Sequence, residues 1–102
     1  PADASSAPEE VSVAEHVLYG HVSRVWDTAI LPESIVTVGE DAVACVWSRA
    51  DGSLLKRCVG HEGKNIWAVH AVPELGDVVV TGGADGAVRL WWAAAEQHSG
   101  VE

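Results

Sequence analysis

The amino-acid sequence predicts an all-β protein built from two four-stranded antiparallel units. Its composition favours strands, because five Trp are present, Phe and Met are absent, and Val and Ala supply most of the apolar residues. Eight short apolar runs are separated by turn-forming residues, and none has the period of a helix. A set of residues also recurs about 40 positions further along, which indicates a repeated structural unit.

Each apolar run ends at a pair of residues that favours a turn. Gly-His, Pro-Glu, Glu-Asp, Asp-Gly and Gly-Asp pairs separate the runs, and Gly, Pro and Asp adopt the backbone conformations that turns require. The predicted strands are VSVAEHVLY (11–19), VWDTAIL (25–31), SIVTVG (34–39), AVACVWS (42–48), SLLKRCV (53–59), IWAVHAV (66–72), DVVVTGG (77–83) and AVRLWW (87–92).

The repeat is visible as a register of identical residues. The matches lie at offsets of 40, 41 and 44, and the drift is confined to two loops. They are Gly20 with Gly60, His21 with His61, Trp26 with Trp67, Pro32 with Pro73, Thr37 with Thr81, Asp41 with Asp85 and Trp47 with Trp91. A supersecondary unit of about 40 residues is therefore repeated, and its fourth strand is the run before the next Gly-His pair.

This register divides the chain. Residues 20–59 form one unit, residues 60–92 form an incomplete second unit, and residues 11–19 form the last strand of a preceding unit. Residues 1–10 are rich in Pro, Ala, Ser and acidic groups, which predicts a flexible acidic tail. We expect residues 93–102 to form a polar tail.

Charge and cysteine content limit the function. Six Lys and Arg stand against fifteen Asp and Glu, a formal net charge of −9, which has the wrong sign for a surface that binds phosphates. The two cysteines, Cys45 and Cys58, do not form a CxxC motif, as expected for buried thiols of a reduced cytoplasmic protein. A disulfide between them remains the alternative. No long apolar run or leader pattern is present, so no membrane contact is expected.

In both copies, a Gly-His pair precedes a Thr, an Asp follows four residues after the Thr, and a Trp follows six residues after the Asp. This pattern resembles the WD repeat, the unit that forms the blades of β-propellers. The resemblance covers about residues 11–92, but Ser48 and Trp92 stand where the family often has Asp after the last Trp. It implies a β-propeller fragment, because two blades cannot close a ring of four to eight. We expect an excerpt of a longer protein, rather than an incomplete gene product or a self-associating piece.

The resemblance implies a buried chain of hydrogen bonds in each blade, in which the indole donates to the hydroxyl, the hydroxyl to the imidazole and the imidazole to the carboxylate. The implied members are His21, Thr37, Asp41 and Trp47 in the first blade and His61, Thr81, Asp85 and Trp91 in the second. Such a network stabilises loops, since a buried polar group without a partner costs about 1–3 kcal/mol.

A catalytic or metal-binding reading of these histidines is disfavoured. The sequence holds no HxxxH or CxxC pair to assemble zinc ligands, and no Ser in a GxSxG turn. The GGADG stretch lacks the Lys-Ser/Thr and the helix of a phosphate-binding loop, and therefore predicts a hairpin turn. We predict no enzymatic activity, no catalytic residue, no metal and no cofactor.

In propellers, residues flanking the start of the first strand and the residue before the turn Asp often face the end surface where partners bind. The corresponding positions are Arg24, Trp26 and Glu40 in the first blade and Asn65, Trp67 and Ala84 in the second. Trp and Arg are enriched at binding hot spots, which supports a partner-binding role. Packing of the two tryptophans between neighbouring blades is the alternative.

Within the family, GEDAVACVW, GHEGKNIWAV and TGGADGAVRLW resemble the WD-repeat auxiliary subunits of the methyltransferases that act on the ribose 2′-OH at the tRNA wobble position. This resemblance implies a cytoplasmic, non-catalytic scaffold that binds an FtsJ-like methyltransferase and meets tRNA indirectly through the full-length protein. The partner would supply S-adenosylmethionine and the chemistry. The alternatives are a substrate receptor of a cullin-type ubiquitin ligase or a generic protein-assembly scaffold. The receptor is disfavoured, since WSRA and WWAA replace the Trp-Asp-x-Arg motif.

Overall fold

The computed structural model describes residues 12–14 and 16–93 of the 102-residue chain. Within these residues it contains seven strands, one short 3₁₀ turn at Pro73–Leu75 and no α-helix, which confirms the all-β prediction. The strands are β1 (Val25–Ile30), β2 (Ser34–Gly39), β3 (Val43–Ser48), β4 (Leu54–Val59), β5 (Ile66–Ala71), β6 (Val78–Gly83) and β7 (Val88–Trp92).

The strands form two antiparallel meanders. The first sheet has the order β1-β2-β3-β4 and the second has the order β5-β6-β7. The first sheet lies within the predicted unit 20–59 and the second within 60–92. The second sheet has three strands among the described residues, one fewer than a complete four-stranded unit, because only Ala93 follows β7 in the described part.

The predictions for the segments on either side of the two units differ from the structure where the structure describes those segments. Ala93, assigned to the polar tail, is buried, and its N–H donates to the carbonyl of Asp77 at 2.7 Å, so it belongs to the second sheet's packing. Residues 12–14 and 16–19, assigned to a strand of a preceding unit, form no strand. A strand needs a ladder partner, and no described strand precedes this segment. The tail predicted at 1–10, with residues 11, 15 and 94–102, lies outside the described residues.

The core lies between the two sheets. The first sheet turns one face toward β5, and apolar side chains from both sheets interdigitate there. Successive side chains of a strand point to opposite faces, and those of β2 and β3 that point to this face include the apolar Val36, Val38, Ala44 and Val46. The buried cluster comprises Ala29, Leu31, Val36, Val38, Ala42, Ala44, Val46, Cys58, Ile66, Val69, Val79 and Ala93.

The two cysteines are buried and free, in agreement with the favoured expectation. Cys58 lies opposite Ala44 in the β3–β4 ladder and Cys45 lies opposite Arg57, so the two thiols occupy opposite faces of the sheet. Burial raises the pKa of the Cys45 thiol to about 11 and also raises the pKa of the Cys58 thiol.

Candidate partner-binding surface and its supporting hydrogen-bond chains

The first blade contains the hydrogen-bond chain that the sequence implies. Nδ1 of His21 lies 3.0 Å from both carboxylate oxygens of Asp41, and its Nε2 lies 2.7 Å from Oγ1 of Thr37. The indole Nε1 of Trp47 donates to the same Thr37 oxygen at 2.9 Å. The chain therefore connects the Gly-His loop to β2, to the β2–β3 turn and to β3.

The second blade repeats this arrangement. Nδ1 of His61 lies 3.0 Å from Oδ1 of Asp85, and its Nε2 lies 2.8 Å from Oγ1 of Thr81. The indole of Trp91 donates to Thr81 at 2.8 Å. Thr81 is completely buried and His61 is 6% exposed, so the centre of this hydrogen-bond chain is shielded from water.

The donor and acceptor roles follow from the two groups at the ends of each hydrogen-bond chain, the carboxylate and the indole. A carboxylate only accepts, so Nδ1 carries the proton that it donates to the Asp. Nε2 of the neutral imidazole then accepts from the Thr hydroxyl, whose oxygen accepts the indole N–H. Every hydrogen-bonding atom of the imidazole is used, which fits a structural connection.

Additional N–H donors stabilise the charged form of both carboxylates. For Asp85 the backbone N–H of Glu62, at 3.0 Å, is the main cause of a pKa well below the ordinary 3.8, followed by His61 and the N–H of Ala87. Burial pushes the pKa of Asp41 upward, but hydrogen bonds from His21 and from backbone N–H groups outweigh it and leave the pKa lowered. Both aspartates therefore stay ionised at neutral pH.

Two tryptophans meet at the end of the sheets beside these chains. The ring centroids of Trp26 and Trp67 are 5.4 Å apart and the planes are tilted by 39°, a favourable aromatic geometry. Nε1 of Trp26 donates to the side-chain oxygen of Asn65 at 2.8 Å. Trp26 is 39% exposed and Trp67 is 51% exposed. The rings therefore contact each other across the two blades and also leave aromatic surface exposed.

A β-bulge explains why each tryptophan turns toward the end surface. Val25 pairs with Gly39 and Asp27 with Val38, so Trp26 is an extra residue in β1. The register of β5 shifts in the same way between Ile66 and Ala68, which makes Trp67 the extra residue there. A bulge leaves its residue outside the ladder and changes the direction of its side chain. The identical bulges give the two tryptophans equivalent places.

The remaining predicted partner-binding residues surround the pair. A guanidinium nitrogen of Arg24 lies 3.8 Å from a carboxylate oxygen of Glu40, and the N–H of Glu40 donates to the Arg24 carbonyl. The N–H of Asn65 donates to the Glu40 carbonyl, and the N–H of Ala84 donates to the Asn65 carbonyl. All six predicted positions thus form one continuous patch, which we call the tryptophan surface. Its partner-binding role stays a prediction.

Sequence reasoning missed one residue that supports this surface. A carboxylate oxygen of Asp27 accepts the backbone N–H of Val69 at 3.0 Å and so connects β1 to β5. The available signal was a single acidic residue inside an otherwise apolar strand. The repeat position in β5 is Ala68, so comparing the two copies could not reveal it.

Comparison with known proteins agrees with this geometry. Residues 52–91 match the family described as WD domain, G-beta repeat. The chain also resembles the solved structure of the computationally designed Ika4 protein, with a TM-score of 0.71 and 26% identity over 81% of this chain and 49% of the designed chain. Residues 52–91 therefore contain a WD repeat, and the fold and the two hydrogen-bond chains resemble neighbouring blades of the β-propeller class.

Sequence relatives narrow the resemblance. The chain is 40% identical over 83 residues, 81% of its length, to a mouse protein named tRNA (34-2′-O)-methyltransferase regulator WDR6. It is also 40% identical over 57 residues, 56% of its length, to Eukaryotic translation initiation factor 3 subunit I of Aspergillus niger. The chain spans 7% of the mouse protein and 16% of the fungal one. The longer match includes residues of both blades.

In the described residues, no helix is long and apolar enough to cross a membrane, and no group of three or more His, Cys, Asp or Glu side chains is placed to hold a metal ion.

Proposed function

We propose that these two blades are part of a non-catalytic WD-repeat scaffold that supports 2′-O-methylation of the ribose at the tRNA wobble nucleotide. The observation that carries this proposal is the 40% identity over 83 residues to the mouse regulator, because that match covers 81% of the chain and so includes residues of both blades. The shorter match to the translation factor covers 57 residues. The scaffold role itself is supported by the WD repeat and by the regulator names of the relatives.

The proposed division of labour assigns the chemistry to a partner. An FtsJ-like methyltransferase binds S-adenosylmethionine and transfers the methyl group, while the scaffold holds the enzyme and helps to present tRNA. The net charge of −9 favours a protein contact here, since RNA phosphates would be repelled. Contact with tRNA then belongs to other parts of the full-length protein, which acts in the cytoplasm.

The tryptophan surface is the proposed docking site for the methyltransferase. Trp67 is half exposed, and the hydrogen bonds between the two blades hold the neighbouring backbone in place. A preformed aromatic surface loses little conformational entropy on binding, which is why Trp is enriched at hot spots. Trp67 has the greater exposure of the pair and is therefore the side chain to test.

The test compares two variants of the full-length protein. Trp67→Ala removes the aromatic surface, whereas Leu75→Ala truncates another exposed apolar side chain in the β5–β6 loop at the opposite end of the sheet. We expect Trp67→Ala to reduce recovery of the methyltransferase in an affinity purification, and to lower wobble ribose methylation measured by mass spectrometry of tRNA. Leu75→Ala should leave both unchanged.

Two outcomes would contradict the proposal. Unchanged wobble ribose methylation after deletion of the gene would remove the assigned function. Recovery of cullin adaptors in place of a methyltransferase would favour the ubiquitin-ligase receptor. Loss of methylation on deletion combined with a normal Trp67→Ala variant would retain the function and reject this docking surface.

A further inference from the structure

Asn65, the residue directly before β5, has a backbone conformation that few residues other than Gly adopt. Its φ is 74°, in the left-handed region, whereas Arg24, its repeat equivalent 41 positions earlier, does not have a positive φ. The two carbonyls nevertheless do the same thing, since that of Asn65 accepts the N–H of Ala84 at 2.9 Å and that of Arg24 accepts the N–H of Glu40 at 2.7 Å. The blade itself therefore does not require the left-handed conformation, which Asn and Asp tolerate best among residues with a side chain.

The backbone of Asn65 is held by both blades. The loop that carries it is one residue longer than its counterpart, because residues 62–65 separate His61 from β5 and residues 22–24 separate His21 from β1. The N–H of Asn65 donates to the carbonyl of Glu40 in the first blade at 2.9 Å, while its carbonyl accepts from the second blade. The side chain therefore begins from a backbone position that is fixed on two sides.

The contact with Trp26 determines how the amide of Asn65 is oriented. An indole N–H only donates, so the atom that it reaches at 2.8 Å is the amide oxygen Oδ1. The amide NH₂ then has no hydrogen-bond partner among the described residues. In the same part of the chain, the one buried side-chain polar atom without a partner is Nε of Arg89, so the amide nitrogen of Asn65 is open to solvent.

The centre of the tryptophan surface therefore offers donors to a partner. The indole N–H of Trp67 also has no hydrogen-bond partner in the described residues, and Oδ1 of Asn65 is already occupied by Trp26. A partner that covers the rings has to bring acceptor oxygens, because a buried N–H without a partner weakens binding. A neutral acceptor fits better than a carboxylate, since the amide is neutral and the net charge of −9 repels acidic groups.

We propose that Asn65 determines specificity at the tryptophan surface: its Oδ1 holds Trp26, and its NH₂ donates to a backbone carbonyl of the methyltransferase. This inference rests on the docking role proposed above for that surface. The carbonyl belongs to an extended segment that crosses the two rings, because carbonyls inside a helix are already paired with N–H groups of the helix.

Two substitutions separate the two roles of the amide. Asn65→Asp keeps an acceptor oxygen for the indole of Trp26 but removes the NH₂ donors, whereas Asn65→Gly removes both. Asp and Gly both tolerate a left-handed φ, so neither variant strains the backbone between the blades.

The first experiment follows the indole N–H signals of the 102-residue chain in a proton–nitrogen correlation NMR spectrum. The signal of Trp26 is the one lost in Trp26→Phe. We expect Asn65→Gly to shift it and Asn65→Asp to retain it, while the signals of Trp47 and Trp91 stay unchanged because their indoles donate within the hydrogen-bond chains of the two blades. An unchanged Trp26 signal in Asn65→Gly, or an equal shift in both variants, would overturn the positioning role.

The second experiment titrates the full-length protein with the FtsJ-like methyltransferase. Each Asn65 variant should bind about tenfold more weakly than the parent, because a carbonyl of the partner is left without its donor. Leu75→Ala, at the opposite end of the sheet, should bind normally. Normal affinity of Asn65→Asp would overturn the recognition role, since this variant keeps Trp26 in place.

Salt distinguishes the carbonyl from a carboxylate. The ratio of the parent affinity to that of Asn65→Asp should stay the same between about 0.1 M and about 0.5 M salt, because a neutral carbonyl does not add a like-charge repulsion that salt screens. A ratio that falls at high salt would overturn the carbonyl assignment.

The two proposals about this surface fail in different ways. A parent protein that does not bind the methyltransferase would overturn both of them. Weak binding by Trp67→Ala combined with normal binding by Asn65→Asp would retain the docking surface and reject the role of Asn65.

Discussion

Replacing Thr81 by Val tests whether the hydrogen-bond chain of the second blade contributes to stability. Valine keeps the branched shape and the strand preference of threonine but has no hydroxyl. The hydroxyl accepts from the indole of Trp91 at 2.8 Å and is 2.8 Å from Nε2 of His61, so its loss leaves two polar groups without their partner. Thr81 is completely buried.

The expected destabilisation is about 2–4 kcal/mol. Each buried polar group that loses its partner costs about 1–3 kcal/mol. The indole of Trp91 is only half-buried, so water replaces part of its lost bond and the sum falls short of the upper limit. Thr28→Val makes the same chemical change at an exposed position of β1 and should alter the free energy of unfolding by less than about 0.5 kcal/mol.

Urea unfolding followed by tryptophan fluorescence measures both variants at one chain concentration, because association would add to apparent stability. Circular dichroism before unfolding shows whether each variant retains its strands. Equal unfolding free energies for Thr81→Val and Thr28→Val would refute the reasoning, since the two variants differ only in whether the lost hydroxyl was buried and bonded.

Three further predictions concern acid, thiols and a glycine. The pKa of Asp85 lies below its ordinary 3.8 in the folded chain, so the carboxylate contributes its full stabilisation above that pH and loses it as the pH falls toward the folded pKa. When the free energy of unfolding is measured against pH, Asp85→Asn should therefore lose less stability in acid than the parent chain does. Cys45 and Cys58 should react slowly with a thiol reagent at pH 8 until urea exposes them. Gly39→Ala should destabilise the first blade in urea unfolding, because its Cβ would lie 2.1 Å from a backbone oxygen, whereas Gly82→Ala meets nothing within 4 Å.

Each of these has a contradicting result. An identical acid profile for the Asp85 variant would show that its hydrogen bonds do not stabilise the fold. Rapid modification of Cys58 without urea would show that the interface between the blades opens readily. Equal stability of the two glycine variants would mean that the backbone at the first bulge can move to accommodate a methyl group.

The sequence alone was sufficient for the strands and the repeat. Strand bounds agree with the predicted runs to within one residue from β1 onward, because turn residues and apolar alternation act locally along the backbone. The resemblance to the WD repeat, which rests on the recurring Gly-His, Thr, Asp and Trp, implied both hydrogen-bond chains, and the structure contains them.

What only the tertiary structure decided lies where the two blades meet. Sequence reasoning left Trp26 and Trp67 between interblade packing and partner binding, and the structure shows contact and exposure together. The bulges that direct these rings arise in the pairing of neighbouring strands, and the bond from Val69 to Asp27 joins residues 42 positions apart. Periodicity reports which residues share a face within one unit, but the pairing of two faces is decided by how their side chains pack in three dimensions.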